Sequence, residues 1–118
     1  MTPYENPNST HQKVVFAAMS KDNFYLREHI IKFILERGHT PTCAFMMFSY
    51  FLLDTVERKA LIAANNELIN RSDELWVFGN ISDGVAEEIK LAETRNMSVR
   101  YFNCESGECL TFVETSKE

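Results

Sequence analysis

The run Val14-Val15-Phe16-Ala17-Ala18-Met19 constrains this chain more than any other segment, because six apolar residues follow one another with no polar alternation. A strand with one face in water alternates apolar and polar residues. An unbroken run, β-branched at its start, instead fits a strand covered by helices on both faces, as in the middle of a parallel sheet. With Lys13 leading in, the reading is a central first strand over Lys13–Met19. The rest of the chain must supply the covering layers. Ser20-Lys21-Asp22-Asn23 provides a turn and an N-cap. The helix after it carries Leu26, Ile30, Phe33 and Ile34 on one face and stops at Gly38.

Strand-like and helical stretches then alternate, which is the pattern of α/β architecture. His39–Ala44 reads as a short second strand that Pro41 pushes toward an edge. Phe45 to Leu53 is apolar without a clear period and needs cover, from the core or from a neighbouring subunit. Asp54 with Glu57 resembles a capping box opening a helix that puts Leu61, Ala64, Asn65 and Leu68 on one face and runs to about Arg71. Glu74–Phe78 is the third strand, Gly79–Gly84 turns the chain, and Val85, Ile89 and Ala92 start another helix. Val99–Phe102 is the fourth strand. Leu110–Val113 follows after a loop around Ser106-Gly107 that permits a hairpin and not a helical crossover, so it belongs antiparallel at an edge. The expectation is a three-layer α/β sandwich on a mostly parallel sheet of four to five strands with an antiparallel C-terminal edge strand. Its single domain spans 13–113, between tails at 1–12 and 114–118.

A chain of 118 residues buries a core but has no room for a second lobe, so a deep site must lie at an edge or be completed by a partner. Twelve Lys and Arg against seventeen Asp and Glu, a net charge of -5, leave no basic excess for a phosphate backbone. Duplex nucleic acid is disfavoured and a small ligand favoured. No apolar stretch approaches the roughly 20 residues of a membrane span, and the polar start MTPYENPNSTHQ is no secretory signal, so a cytoplasmic location is expected. Cys43, Cys104 and Cys109 match no four-ligand zinc spacing and read as free thiols, although Cys104 and Cys109 bracket the candidate hairpin turn. No metal and no cofactor is expected.

Ligands of open parallel sheets bind beyond the carboxyl ends of the strands, where strand order reverses. That selects three loops: Ser20 to Asn23, the Phe45 to Leu53 stretch, and Gly79 to Gly84. In the third, glycines permit tight turns, and Ser82 or Asp83 caps a helix whose first N–H groups form an anion cradle. The loop has neither GxGxxG nor a Walker lysine, and a capped helix after a strand is also ordinary architecture. Glu88 has Gly84, Val85, Leu91 and Ala92 at helical spacing, which sets a carboxylate on the apolar face one turn inside that helix. Desolvation would disfavour its charged form and tune it for nucleophilic or acid/base work, unless it bends out to water or into an ion pair. Glu87, spaced from Asp83 and Lys90, is solvated surface. Asn65 interrupts an apolar face as either a satisfied core amide or a ligand group. The aromatics from Phe45 to Phe51 suit stacking on a planar base, core packing or a dimer seam. His11, His29 and His39 pair with no Ser or Cys at a triad-like spacing.

Asp73-Glu74-Leu75-Trp76-Val77-Phe78-Gly79, with Ile81-Ser82-Asp83-Gly84-Val85-Ala86-Glu87-Glu88-Ile89 and Val99-Arg100-Tyr101-Phe102, resembles short flavodoxin/Rossmann-like domains related to the nucleoside 2-deoxyribosyltransferases. The likeness spans strand one to strand four. Gly38-His39-Thr40-Pro41 and Glu57-Arg58 are weaker echoes. The resemblance implies that Glu88, closing a Ser-x-Gly-x-x-x-Glu segment, is the nucleophile toward the anomeric carbon of a deoxyribose. It further implies that Ser82 holds a sugar or phosphate oxygen, that Gly84 gives close backbone approach, and that Ser20, Asp22 and Asn23 line the nucleoside site; the strand-end loops themselves add Gly79 and Phe45 as candidate ligand contacts. The related enzymes carry an Asp where this chain has Asn65, which leaves Asp22 or a partner residue to supply a proton. The function expected is transfer or hydrolysis at an N-glycosidic bond of a nucleoside or nucleotide, by a homo-oligomer. A non-catalytic nucleotide-binding or sensing domain is the alternative.

Overall fold

The computed structural model describes residues 12–43, 55–105 and 111–116. Strands β1 (Val14–Met19), β2 (Thr40–Thr42), β3 (Glu74–Phe78), β4 (Ser98–Glu105) and β5 (Thr111–Thr115) form one sheet in the order β2-β1-β3-β4-β5. The first four are parallel, and β5 returns antiparallel along β4 at the edge. Helices α1 (Arg27–Glu36), α2 (Arg58–Asn70) and α3 (Asp83–Thr94) make the crossovers, giving the α/β, flavodoxin/Rossmann-like arrangement.

The apolar run of β1 sits where its composition requires. Successive side chains of a strand point to opposite faces. Val15, Ala17 and Met19 therefore join Leu26, Ile30 and Ile34 of the α1 side with Trp76, Phe78 and Phe102. Phe16 and Ala18 join Ile69 of α2 and Val85, Ile89 and Ala92 of α3 with Leu75 and Val77. Every residue of β3 is buried too, so β1 and β3 form the middle of the sheet. Each helix lies on the face that a right-handed crossover from its strand demands, α1 on one side and α2 with α3 on the other.

The ends of the elements follow local chemistry. After α1, Gly38 takes φ 84°, and its N–H and that of His39 close onto the carbonyls of Leu35 and Ile34 in a Schellman cap. Asn96, at φ 57°, ends α3 in the same way, with Met97 N–H on the Ala92 carbonyl. Ser82 opens α3 and its hydroxyl accepts the Val85 N–H at 3.3 Å.

Several boundaries differ from the sequence reading. A 3-10 turn over Lys21–Leu26 precedes α1, so Ser20 introduces that turn and caps no α-helix with its side chain. The helix expected to open at Asp54 begins at Arg58, with Glu57 as its N-cap and no side-chain cap bond, and the Asp54 half of the capping box lies outside the described residues. The deepest residue of α2 is Ile69, while Leu61, Ala64 and Leu68 are half-buried. β4 extends to Glu105 and β5 to Thr115, past the boundary drawn at Val113, because the antiparallel ladder runs from Tyr101 opposite Thr115 to Glu105 opposite Thr111; within it Arg100 donates to both Glu114 carboxylate oxygens at 2.7 Å.

Candidate functional site

The chain leaves β1 for β2 on one side and returns to β3 on the other, so strand order reverses between β1 and β3. The crevice beyond their carboxyl ends is the topological switch point, where open α/β sheets take their ligands. Met19 and Phe78 are in register there, which brings Ser20 and Gly79 out side by side.

Ser20 is only 4% exposed. Its hydroxyl lies 3.0 Å from Asn80 Oδ1 and 3.3 Å from Asn23 Oδ1, so its one proton serves either amide in turn. The Asn23 N–H closes back on the Ser20 carbonyl at 3.0 Å. Gly79 stands at φ 82°, and the Asn23 amide occupies the space a Cβ would take. Only glycine meets both conditions, and this fit locks the β1 loop against the β3 loop. Asn80 was not among the residues the sequence singled out. Its one signal was membership of the Gly79–Gly84 turn.

Across α3 the conditions change. Gly84 has nothing within 4 Å of a hypothetical Cβ, so the first turn of the helix presents open backbone toward solvent. One turn further, Glu88 points to the packed side and the Asn65 Nδ2 donates to its Oε2 at 2.7 Å. Burial pushes the Glu88 carboxyl up to about 6, against the opposing pull of the Asn65 hydrogen bond. Among the described residues no cation pairs with it. Asn65 is thus the residue that fixes one oxygen of the candidate nucleophile, and Oε1 has no described hydrogen-bond partner. Glu87 is exposed, as its spacing required.

Other sequence candidates fall elsewhere. Asp22 is exposed on the 3-10 turn, and no described hydrogen bond or ion pair joins it to Glu88. Ser82 is engaged as the α3 cap and keeps its own proton to donate. Phe45 and the Phe45 to Leu53 stretch lie outside the described residues, as does Cys109. Cys43 is buried, and burial pushes the half-buried Cys104 thiol up, away from thiolate character. No group of three His, Cys, Asp or Glu among the described residues is placed to hold a metal. No described helix is long and apolar enough to cross a membrane.

A second buried carboxylate lies at the opposite, amino end of the sheet. Glu74, 8% exposed, accepts Trp76 Nε1–H at 2.8 Å and Lys13 Nζ at 2.7 Å. Burial opposes its charge, yet these two donors hold its carboxyl below the usual range. Arg100 stacks over the Trp76 ring at 4.7 Å, and His39 meets the same ring edge-on. Two surface hollows, of about 320 and 310 Å³, lie along α3, β4 and β5 and along α1 and β5. Neither is lined by Ser20, Gly79 or Glu88. The switch-point crevice instead brings Ser20, Asn23, Gly79 and Asn80 together.

A search of curated proteins gives no match. The model of the family described as domain of unknown function DUF7768 matches residues 14–102, from the first residue of β1 into β4, and the chain belongs to that family.

Proposed function

We propose that this protein acts on the N-glycosidic bond of a nucleoside or nucleotide, as a 2-deoxyribosyltransferase or N-hydrolase, with Glu88 as nucleophile. The observation that carries the reading is the Glu88–Asn65 contact: a half-buried carboxylate, one oxygen fixed at 2.7 Å, one helical turn from an open glycine at the strand-end crevice. A carboxyl at about 6 is mostly ionised at neutral pH and more basic than an ordinary glutamate, which suits attack on an anomeric carbon. Glu88 Oε1 would form a glycosyl ester through an oxocarbenium-like transition state, and a second base or water would resolve it with retention. Ser20, Asn23 and Asn80 offer neutral donors and acceptors to the ligand, and the first turn of α3 offers backbone N–H groups at Gly84.

Incubation with each deoxynucleoside and its 5′-monophosphate, with and without a second base, tests this by chromatography of the freed base. Turnover abolished in Glu88→Ala supports the enzyme. One observation favours the second reading, a nucleotide-binding or sensing domain without turnover: Asn65 cannot give a proton to a leaving base. No turnover with any substrate, together with nucleotide binding that survives Glu88→Ala, would establish that reading instead. The proposal includes a cytoplasmic homo-oligomer, since the apolar sequence from Phe45 to Leu53 calls for cover. A monomer by light scattering at working concentration contradicts that part.

A further inference from the structure

Among the described residues Glu88 is a carboxylate without a counter-ion. Its one described partner is the neutral Asn65 amide, on Oε2. Of the described ion pairs, Lys13–Glu74, Arg71–Glu67 and Arg100–Glu114, none reaches it. A half-buried ionised carboxylate in such surroundings is stabilised most by a ligand that brings positive charge of its own. The same amide sets a second condition. Breaking an N-glycosidic bond to a neutral base leaves an anionic nitrogen unless an acid protonates it, and an amide is no acid. Asp22, the other donor candidate among the described residues, is exposed, and no described hydrogen bond or ion pair links it to Glu88. Both conditions are met by one class of substrate.

Resting on the proposed function above, we infer that the preferred substrates are N-glycosides whose base is already cationic, such as pyridinium ribosides or deoxyribosides. Their leaving group needs no proton. Glu88 Oε1 donates an electron pair to C1′, the C1′–N bond breaks with its pair returning to the ring nitrogen, and the base departs neutral. Water then attacks C1′, the ester oxygen takes its electron pair back as the Glu88 carboxylate, and one proton passes to solvent. Charge and atoms balance with no further co-reactant. Before reaction, the cationic ring supplies the counter-ion that Glu88 lacks among the described residues.

The test compares N-(β-ribofuranosyl)pyridinium and its 2-deoxy analogue with uncharged ribo- and deoxyribonucleosides, following free base by chromatography on the full chain. The missing acid is expected to cost neutral substrates about 10²–10⁴-fold in kcat/KM relative to the pyridinium glycosides. Glu88→Gln should abolish both activities. Asn65→Asp should raise turnover of neutral nucleosides and leave the pyridinium rate unraised. A preference for neutral substrates, or equal rates, overturns the inference while the proposed function stands. No turnover of either class overturns both. An N-alkylpyridinium carboxamide, which cannot react, gives a separate readout: its binding should weaken at least tenfold in Glu88→Gln. Affinity that is indifferent to that change overturns the counter-ion argument.

Discussion

Replacing Glu88 by glutamine should make the protein more stable, and only above the pH at which Glu88 ionises. The side chain keeps its length and an oxygen able to accept the Asn65 Nδ2–H, while the buried charge disappears. In the folded chain Glu88 titrates at about 6, against 4.5 for an ordinary glutamate. The folded state therefore holds this proton more tightly than the unfolded state. Below 4.5 that advantage is complete, and it is lost as the pH rises through 6. The gap is worth about 2 kcal/mol, since each pKa unit corresponds to about 1.4 kcal/mol. At pH 7.5 Glu88→Gln should gain about that much, equivalent to roughly 8 °C in melting temperature for a domain of this size. Near pH 4 the variant and the parent should melt together. Thermal unfolding by circular dichroism across pH 4–8, with a side-chain carbon NMR titration of Glu88, reads both quantities. A variant less stable than the parent at pH 7.5, or a difference that does not change with pH, would refute the reasoning.

Other perturbations separate structure from function at the same crevice. Gly79→Ala must place a Cβ on the Asn23 amide at a φ of 82°, and unfolding in urea should show a loss of about 1–3 kcal/mol. Gly84→Ala meets open space inside a helix, so it should stabilise by about 0.5–1 kcal/mol while lowering kcat/KM at least tenfold, because the added methyl blocks ligand approach. If Glu88 reacts as its anion, kcat/KM should fall on the acid side of about pH 6; a limb near 4.5 would show that the free enzyme's nucleophile is not desolvated. Glu74→Gln removes the acceptor charge for Lys13 and weakens that for Trp76, and denaturant unfolding at pH 7 should show a cost of about 1–3 kcal/mol. Since the Glu74 carboxyl is held low, that difference should shrink as the pH falls below 4.5.

Much of this fold is legible in the sequence because apolar runs cannot be left in water. The Val14–Met19 and Glu74–Phe78 runs have burial on both faces as their best outcome, and both are central. Pro41 marks an edge because it gives no ladder N–H, and β2 is the edge. The loop before β5 admits only a hairpin, and β5 is antiparallel. What the sequence does not disclose depends on long-range partners. Glu114 reads as tail until Arg100, fourteen residues away, is seen to hold it in a strand. Asp54 with Glu57 has capping-box spacing, yet spacing says nothing about where the backbone turns into α2. At the candidate site, helical periodicity places Glu88 inward, whereas its bond to Asn65, twenty-three residues away on another helix, is a tertiary fact. Asn23 filling the space beside Gly79 is another.

The two inward glutamates of this sheet show why burial alone does not identify a reactive group. Glu74 exposes less surface than Glu88, but Trp76 Nε1–H and the charged Lys13 Nζ meet both of its oxygens. Its charge is stabilised in place, and a ligand has nothing to add. Glu88 has one oxygen on a neutral amide, the other without a described partner, and a carboxyl raised by desolvation. Among the described residues nothing of opposite charge compensates it, and its desolvation amounts to a destabilisation of about 2 kcal/mol near neutral pH. A natural chain tolerates such a cost most readily where a bound molecule recovers it. The asymmetry also matches position: Glu74 lies at the amino end of β3, where the parallel sheet offers no crevice, and Glu88 lies one helical turn from the switch point at its carboxyl end. Compensation, more than depth, therefore distinguishes the carboxylate that holds the fold from the one that is poised for chemistry.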